Sequence, residues 1–186
     1  MNFETFHTER LLLRKLTPSD FNYIFENHDE AEIRTLLGIN SDEEYLLEEN
    51  KYKKGYSTYN KSLVYFQMLD KISQQIIGGA GFHSWYADHK RAELGYALKN
   101  DEYKGKGLMT EALSFIIGYG FKHMDLNRIE AFIGPDNAAS LKLISKYNFT
   151  REGQLRQHYM KEGKLQDSIV FSLLSKEYIT MLNGCD

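Results

Sequence analysis

A change of period at Leu63 constrains what this chain can fold into more than any other feature. Residues 63–69 (LVYFQML) and 74–86 (QQIIGGAGFHSWY) are rich in β-branched and aromatic side chains, and a polar turn at Asp70 and Lys71 divides them. They read as a hairpin. A second polar turn over residues 87–90 leads into RAELGYAL at 91–98, a third antiparallel strand. Residues 107–124 then place Leu108, Met109, Ala112, Leu113, Ile116, Ile117 and Phe121 at helical spacing, the pattern of a long helix with a buried face. Antiparallel strands that run straight into a core helix predict a layered domain of mixed α/β type.

The flanks extend this pattern. Residues 9–16 (ERLLLRKL) form a short apolar strand that feeds a helix. Thr17 is placed to cap it, Pro18 suits its first position, Asp20 stands where a capping-box acid belongs, and Phe21, Ile24 and Phe25 share one face. Ser41 and Glu44 repeat the signal ahead of a more solvated helix over residues 45–54. Downstream, 128–134 reads as a strand, 137–147 as a helix capped by Asn137, and 148–159 as a strand. Glu162 and Gly163 turn the chain into a last strand at 167–174. Prolines stand only at 18 and 135, between elements, and no repeat or linker intervenes, so residues 1–186 are expected to form one domain.

Charge and cysteine content exclude several classes. With 23 Lys and Arg against 26 Asp and Glu, the formal charge of -3 gives no general attraction to nucleic acid or anionic membrane. The lone Cys185 has no partner for a disulfide or a Cys-based zinc site, and the histidines show neither HxH nor HxxxH spacing, so no metal is expected. No apolar run approaches the roughly 18 residues that span a bilayer, and the opening MNFETFHTER carries acids where a signal peptide needs bases. A cytoplasmic location is expected.

Chemistry concentrates in residues 103–112 (YKGKGLMTEA), where a Gly-Lys-Gly loop joins a strand to the long apolar helix. N–H groups at a helix start lack intrahelical partners and sum with the helix dipole to favour an anion. Gly105 and Gly107 let the backbone approach a phosphate closely, Lys104 and Lys106 add positive charge, and Thr110 can donate a hydroxyl. Leu108 and Met109 open the helix whose free amides would meet the ligand, and a pyrophosphate is the natural one. Glu111 would oppose an anion and is expected to brace the helix. The run matches neither GxxxxGK followed by Ser or Thr nor GxGxxG.

At these residues the chain resembles the GNAT superfamily of acetyl-CoA-dependent N-acetyltransferases. Their pyrophosphate loop reads Gln or Arg, two residues, Gly, one residue, then Gly or Ala. The matching window is 104–109, with Gly107 on the central glycine, Lys104 in place of Gln or Arg, and Met109 in place of the small residue. ERLLLR at 9–14, ELGYAL at 93–98, GKGLMTEAL at 105–113 and PDNAASLKLISKYNF at 135–149 are similar, in order, to the Rim-type branch, which includes ribosomal-protein N-terminal acetyltransferases. The likeness runs over residues 8–174.

The resemblance implies a mixed, largely antiparallel sheet of about seven strands flanked by about four helices. It also implies a V-shaped cleft between the fourth strand, 91–98, and the fifth, 128–134, where unpaired N–H groups near Ala97 and Leu98 would bind pantetheine and polarise the acetyl carbonyl. Glu93 aligns with the family's general base, although strand alternation could equally turn it to solvent. Asn137 matches a cofactor-binding asparagine and is also a good helix cap, while Ser140 stands where Rim-type enzymes place a serine proposed to protonate the thiolate. The alternative tyrosine acid of the family falls on Ile144, and Tyr147 is expected to pack. His158 occupies a position where relatives can place a catalytic glutamate and is a secondary base.

The partners implied are acetyl-CoA and either a protein N-terminus or a small primary amine such as a polyamine, amino acid or antibiotic. A module that holds CoA without turnover is the remaining alternative, and either a monomer or a homodimer is compatible. An α-amine titrates near 7.7–8.0 and lysine near 10.4, so about one α-amine in ten is neutral at pH 7 against about one lysine in a few thousand. A site with one carboxylate base fits the α-amine best, and by resemblance one on a terminal Ser or Ala.

Overall fold

The computed structural model describes residues 3–183, so Cys185 lies outside the described residues. Among the described residues there are eight strands: β1 (Thr5–His7), β2 (Leu11–Leu16), β3 (Ser62–Asp70), β4 (Ile76–Tyr86), β5 (Arg91–Leu98), β6 (Arg128–Ile133), β7 (Thr150–Lys161) and β8 (Lys164–Leu174). Six helices accompany them: α1 (Pro18–Asn27), α2 (Glu30–Leu37), α3 (Asp42–Lys54), α4 (Leu108–His123), α5 (Ala138–Ser145) and α6 (Ser175–Asn183). The expected counts are therefore short by β1, α2 and α6. None of these helices is long and apolar enough to cross a membrane.

Local signals explain most of the boundaries. The Asp20 carboxylate accepts from the Thr17 N–H at 2.7 Å and hydroxyl at 2.6 Å, with Pro18 at the first helical position. The Ser41 side chain accepts from the Glu44 N–H. α2 follows the same rules, with Asp29 accepting from the Glu32 N–H at 2.9 Å and Gly38 closing the helix at φ 67°. Glu162 and Gly163, at φ 50° and 74°, make the tight turn between β7 and β8.

The sheet runs β1-β2-β3-β4-β5-β6-β8-β7, and every neighbouring pair is antiparallel except β5 with β6. That parallel ladder holds only from Arg91–Arg128 to Glu93–Glu130, after which the strands part. The expected V-shaped cleft is present between these two strands. On one face α4 buries Leu113, Ile116 and Ile117 at no more than 1% exposure. Each contributes roughly 1.5–3 kcal/mol of transfer free energy. The other face carries α1, α2 and α3 over a smaller core of Leu16, Phe21, Ile24 and Ile33.

A charge network ties the strands together at the closed end of the V. Arg128 binds Glu130 at 2.8 Å and clasps Glu152 with two nitrogens at 2.7 and 2.5 Å, Ser172 donates to Glu152 at 2.7 Å, and Arg91 reaches Glu130 at 2.9 Å. The Arg128 guanidinium, with help from Ser172, holds the Glu152 carboxyl down at about 2, below its ordinary 4.5. A carboxyl depressed in the folded state contributes stability above its unfolded value and loses it as pH falls through the folded one. The Tm deficit of Glu152→Gln should therefore be full above pH 4.5 and vanish near pH 2. Thermal melts across that range check it, and a deficit constant with pH would refute the linkage.

Candidate active site

The Gly-Lys-Gly loop folds as its sequence demands. Gly105 and Gly107 take φ of 73° and 77°, and Gly107 is the N-cap of α4 with no side-chain cap, which leaves the first-turn amides open. Leu108 and Met109 bury their side chains and so aim the helix, offering only their N–H groups to a ligand. Lys104 pairs with Asp101 at 2.5 Å, and Lys106 lends its carbonyl to Arg10 at 2.8 Å. Thr110 Oγ1 meets Lys146 Nζ at 3.4 Å, and the Thr110 carbonyl accepts from the Tyr147 hydroxyl, which also meets Ser114 at 3.3 Å. Tyr147 is thus a packing residue, as expected.

Two cations that sequence reasoning did not assign complete the loop. Arg10 donates to Glu111 through its backbone N–H and through Nε, each at 2.7 Å, and Thr8 donates to the same carboxylate at 2.5 Å. Burial alone would raise the Glu111 carboxyl, but the bonds from Thr8 and Arg10 overcome it and leave it below its ordinary value. Glu111 braces the helix and no longer opposes an anion. Lys146, at the end of α5, is the second cation.

Strand β5 supplies the next part of the site. Lys99 N–H donates to the Ile77 carbonyl, and Ala97 lies opposite Gly79 in the same register. Main-chain groups of an antiparallel strand alternate in direction, so the N–H of Ala97 also faces β4. This corrects the expectation at Ala97: Leu94 N–H closes the last bridge of the parallel ladder, at Glu93–Glu130, and the amides on the open edge beyond it are those of Tyr96 and Leu98. Unpaired edge amides of this kind suit an extended amide-bearing chain.

The remaining candidates line the cleft, a cavity of about 380 Å³ that Glu93, Tyr96, Asn137, Ser140 and His158 share. Asn137 Oδ1 accepts from the Ser140 N–H at 3.1 Å, so its carbonyl caps α5 and its amide nitrogen remains for a ligand. The Tyr96 hydroxyl is buried without a hydrogen-bond partner, Ser140 being a neighbour outside bonding geometry, and burial raises the phenol above its ordinary range. An orphaned hydroxyl beside Ser140 is a polar terminus that awaits a ligand. His158 Nδ1 meets Ser168 Oγ at 2.9 Å, with its ring against Phe132. Among the described residues, no group of three or more His, Cys, Asp or Glu gathers as for a metal.

A second cavity of about 550 Å³ opens on the face that carries α1–α3, floored by Gly79, Gly81 and Gly95 and walled by Phe21, Tyr65 and other apolar side chains. It meets the cleft at His83, Gly95 and Tyr96, the residues common to both linings. Here His83 Nε2 stands 3.1 Å from Glu93 Oε1. The sequence signal for this pair was the β4–β5 hairpin register, which a bulge between His83 and Tyr86 hides. A loop of open amides with nearby cations, an edge of free N–H groups and an orphaned hydroxyl together fit a pyrophosphate, a pantetheine arm and its sulfur.

The comparisons agree with this geometry. Residues 10–150 match the model of the acetyltransferase (GNAT) domain. The chain is 34% identical over 177 residues, 94% of its length and 98% of the relative, to an uncharacterized N-acetyltransferase p20 of Bacillus licheniformis. It is 30% identical over 118 residues, 63% of its length and 60% of the relative, to the ribosomal protein uS5-alanine N-acetyltransferase of Escherichia coli. The fold superposes with a TM-score of 0.68 on a spermidine/spermine N-acetyltransferase of Vibrio cholerae, at 20% identity over 93% of this chain and 98% of that one. With the family model covering most of its length and a relative of 34% identity covered almost end to end, the chain belongs to the GNAT acetyltransferases and is an acyltransferase.

Proposed function

We propose that the protein transfers an acetyl group from acetyl-CoA directly to the α-amine of a peptide or protein N-terminus. Acetyl-CoA supplies a thioester-activated acetyl group when bound. The Gly105–Gly107 loop, the start of α4 and Lys146 hold its phosphates, with Arg10 bracing Glu111 beneath them, the edge amides of Tyr96 and Leu98 orient the pantetheine arm, and Asn137 adds its amide nitrogen. Ser140, beside the orphaned Tyr96 hydroxyl, holds the proton that a departing thiolate requires. Glu93 and His83 stand on the opposite side, where the second cavity opens, and accept a proton from the acceptor.

The observation that carries the choice of acceptor is the state of the acidic residue that lines that cavity. A polyamine needs unpaired carboxylates, yet Glu48, which lines the cavity, is engaged by Lys51 at 2.7 Å and by the Tyr56 hydroxyl at 2.8 Å. The walls are otherwise mostly apolar, which suits a chain end whose one ionisable group is the amine to be acetylated. Thiol release on peptides that begin with Ser or Ala should exceed that on spermidine by at least about 10-fold, in line with the fraction of neutral amine. Mass spectrometry locates the acetyl group, and its appearance only on spermidine or lysine ε-amines would overturn the reading.

A further inference from the structure

Of the residues where the two cavities meet, His83 is the exposed ionisable one, and no part of the family likeness assigns it. We infer that His83 is the group that meets the acceptor amine and takes its proton, with Glu93 behind it holding the ring and balancing its charge. This rests on the reading above that a primary amine enters through the second cavity. Glu93 lines the cleft but not that cavity, whereas His83 lines both and its side chain is 51% exposed. A base must lie within reach of the proton it removes, and His83 is the member of the pair that the acceptor meets.

The ring is held in a definite orientation. His83 lies directly opposite Glu93 in the β4–β5 register, on the same face of the sheet, and Nε2 contacts the carboxylate at 3.1 Å. A Cβ at Gly95 would stand 2.5 Å from ring Cε1 and 2.9 Å from Nδ1, so the absence of a side chain there is what lets the imidazole settle across the strand. A neutral ring with its proton on Nε2, the nitrogen 3.1 Å from Glu93 Oε1, carries its lone pair at Nδ1, which has no hydrogen bond among the described residues. As the amine nitrogen bonds to the acyl carbon and the carbon–sulfur bond breaks, one amine proton passes to Nδ1. It leaves to solvent from the exposed ring; on the far side Ser140 passes its hydroxyl proton to the sulfur, so that CoA departs as the thiol, and regains a proton from solvent.

The charges around the ring favour this sequence. Glu130 beside Glu93 is neutralised by Arg91 and Arg128, and Glu48 on α3 by Lys51. Tyr96 on β5 and His158 and Tyr159 on β7 are the other titratable groups that share the cleft with it. Glu93 is thus the carboxylate in direct contact with the imidazole. His158 lines the cleft but not the second cavity, so it does not meet an acceptor that enters there.

The test uses whichever primary amine the enzyme turns over fastest, so that a non-peptide acceptor would refute the α-amine reading without affecting this one. His83→Ala should lower kcat about 100-fold with the KM for acetyl-CoA unchanged, lose the acidic limb of the pH profile, and regain part of the rate when imidazole is added. Gly95→Ala keeps both side chains but displaces the ring and should lower kcat in the same direction. Nitrogen resonances of the His83 ring should move on Glu93→Gln in the resting enzyme, a readout that needs no acceptor. An unchanged pH profile in His83→Ala, loss of the acidic limb in His158→Gln instead, or ring resonances indifferent to Glu93→Gln would each overturn the inference.

Discussion

Gly107→Val is expected to weaken acetyl-CoA binding by about 100-fold, or about 2.7 kcal/mol, while the protein stays folded. Gly107 sits at φ 77° as the N-cap of α4, a left-handed conformation that costs an L-residue roughly 1–2 kcal/mol and a β-branched one more. A Cβ there would also stand 3.5 Å from Arg10 Nη2, so the valine methyls crowd the guanidinium that braces Glu111 and holds the Lys106 carbonyl. Relaxing that strain turns the loop amides away from the phosphates they are placed to meet. Because roughly 1 kcal/mol moves Tm by about 2–4 °C in a chain of this size, the melting temperature should fall by only several degrees. Titration calorimetry with CoA measures the affinity, and an unchanged Kd in a folded variant would remove the loop from the phosphate site.

Gly81→Ala should be among the most damaging single-methyl additions in the sheet. Gly81 lies opposite Tyr65 in the β3–β4 register, and a Cβ would stand 2.3 Å from the Val64 carbonyl oxygen and 2.8 Å from Tyr65 Cα. Both are backbone atoms, so no rotamer change relieves the clash and β3 must shift away from β4. Overpacking of this kind costs roughly 3 kcal/mol, which corresponds to a Tm about 6–12 °C lower. Gly81 also floors the second cavity, so the surviving folded fraction should show a higher KM for the acceptor. A Tm within 2–3 °C of the parent, on the order of 1 kcal/mol or less, would contradict the close approach of these strands.

Two of the three elements that were missed, β1 and α6, share a cause: each depends on partners distant in the chain. β1 is three residues long and exists through pairing with β2 and the packing of Phe6 on Phe66, Phe115 and Tyr119. Such a segment carries no period of its own. α6 is held by Tyr178 stacked on Phe121 at 5.0 Å and by Glu177 accepting from the Leu174 N–H, so its partner is a helix more than 50 residues earlier. α2 did carry its signal in Asp29, Glu32 and Gly38, and reading those three together would have found it.

The sequence by itself determined whatever is contiguous along the chain. Caps, turns, the apolar face of α4 and the positive-φ glycines of the Gly-Lys-Gly loop all depend on interactions within a few residues, so composition and spacing suffice to specify them. Tertiary structure decided what lies across the sheet. Arg10 reaches a loop 96 residues away, Ala97 turns its N–H to β4 while Leu98 faces the cleft, and His83 meets Glu93 through a bulged hairpin register. The side-chain period of a strand is two residues, so a single-residue slip would put His83 and Glu93 on opposite faces. That register is set by the packing of whole strands against α4, a long-range sum that no local window of sequence contains.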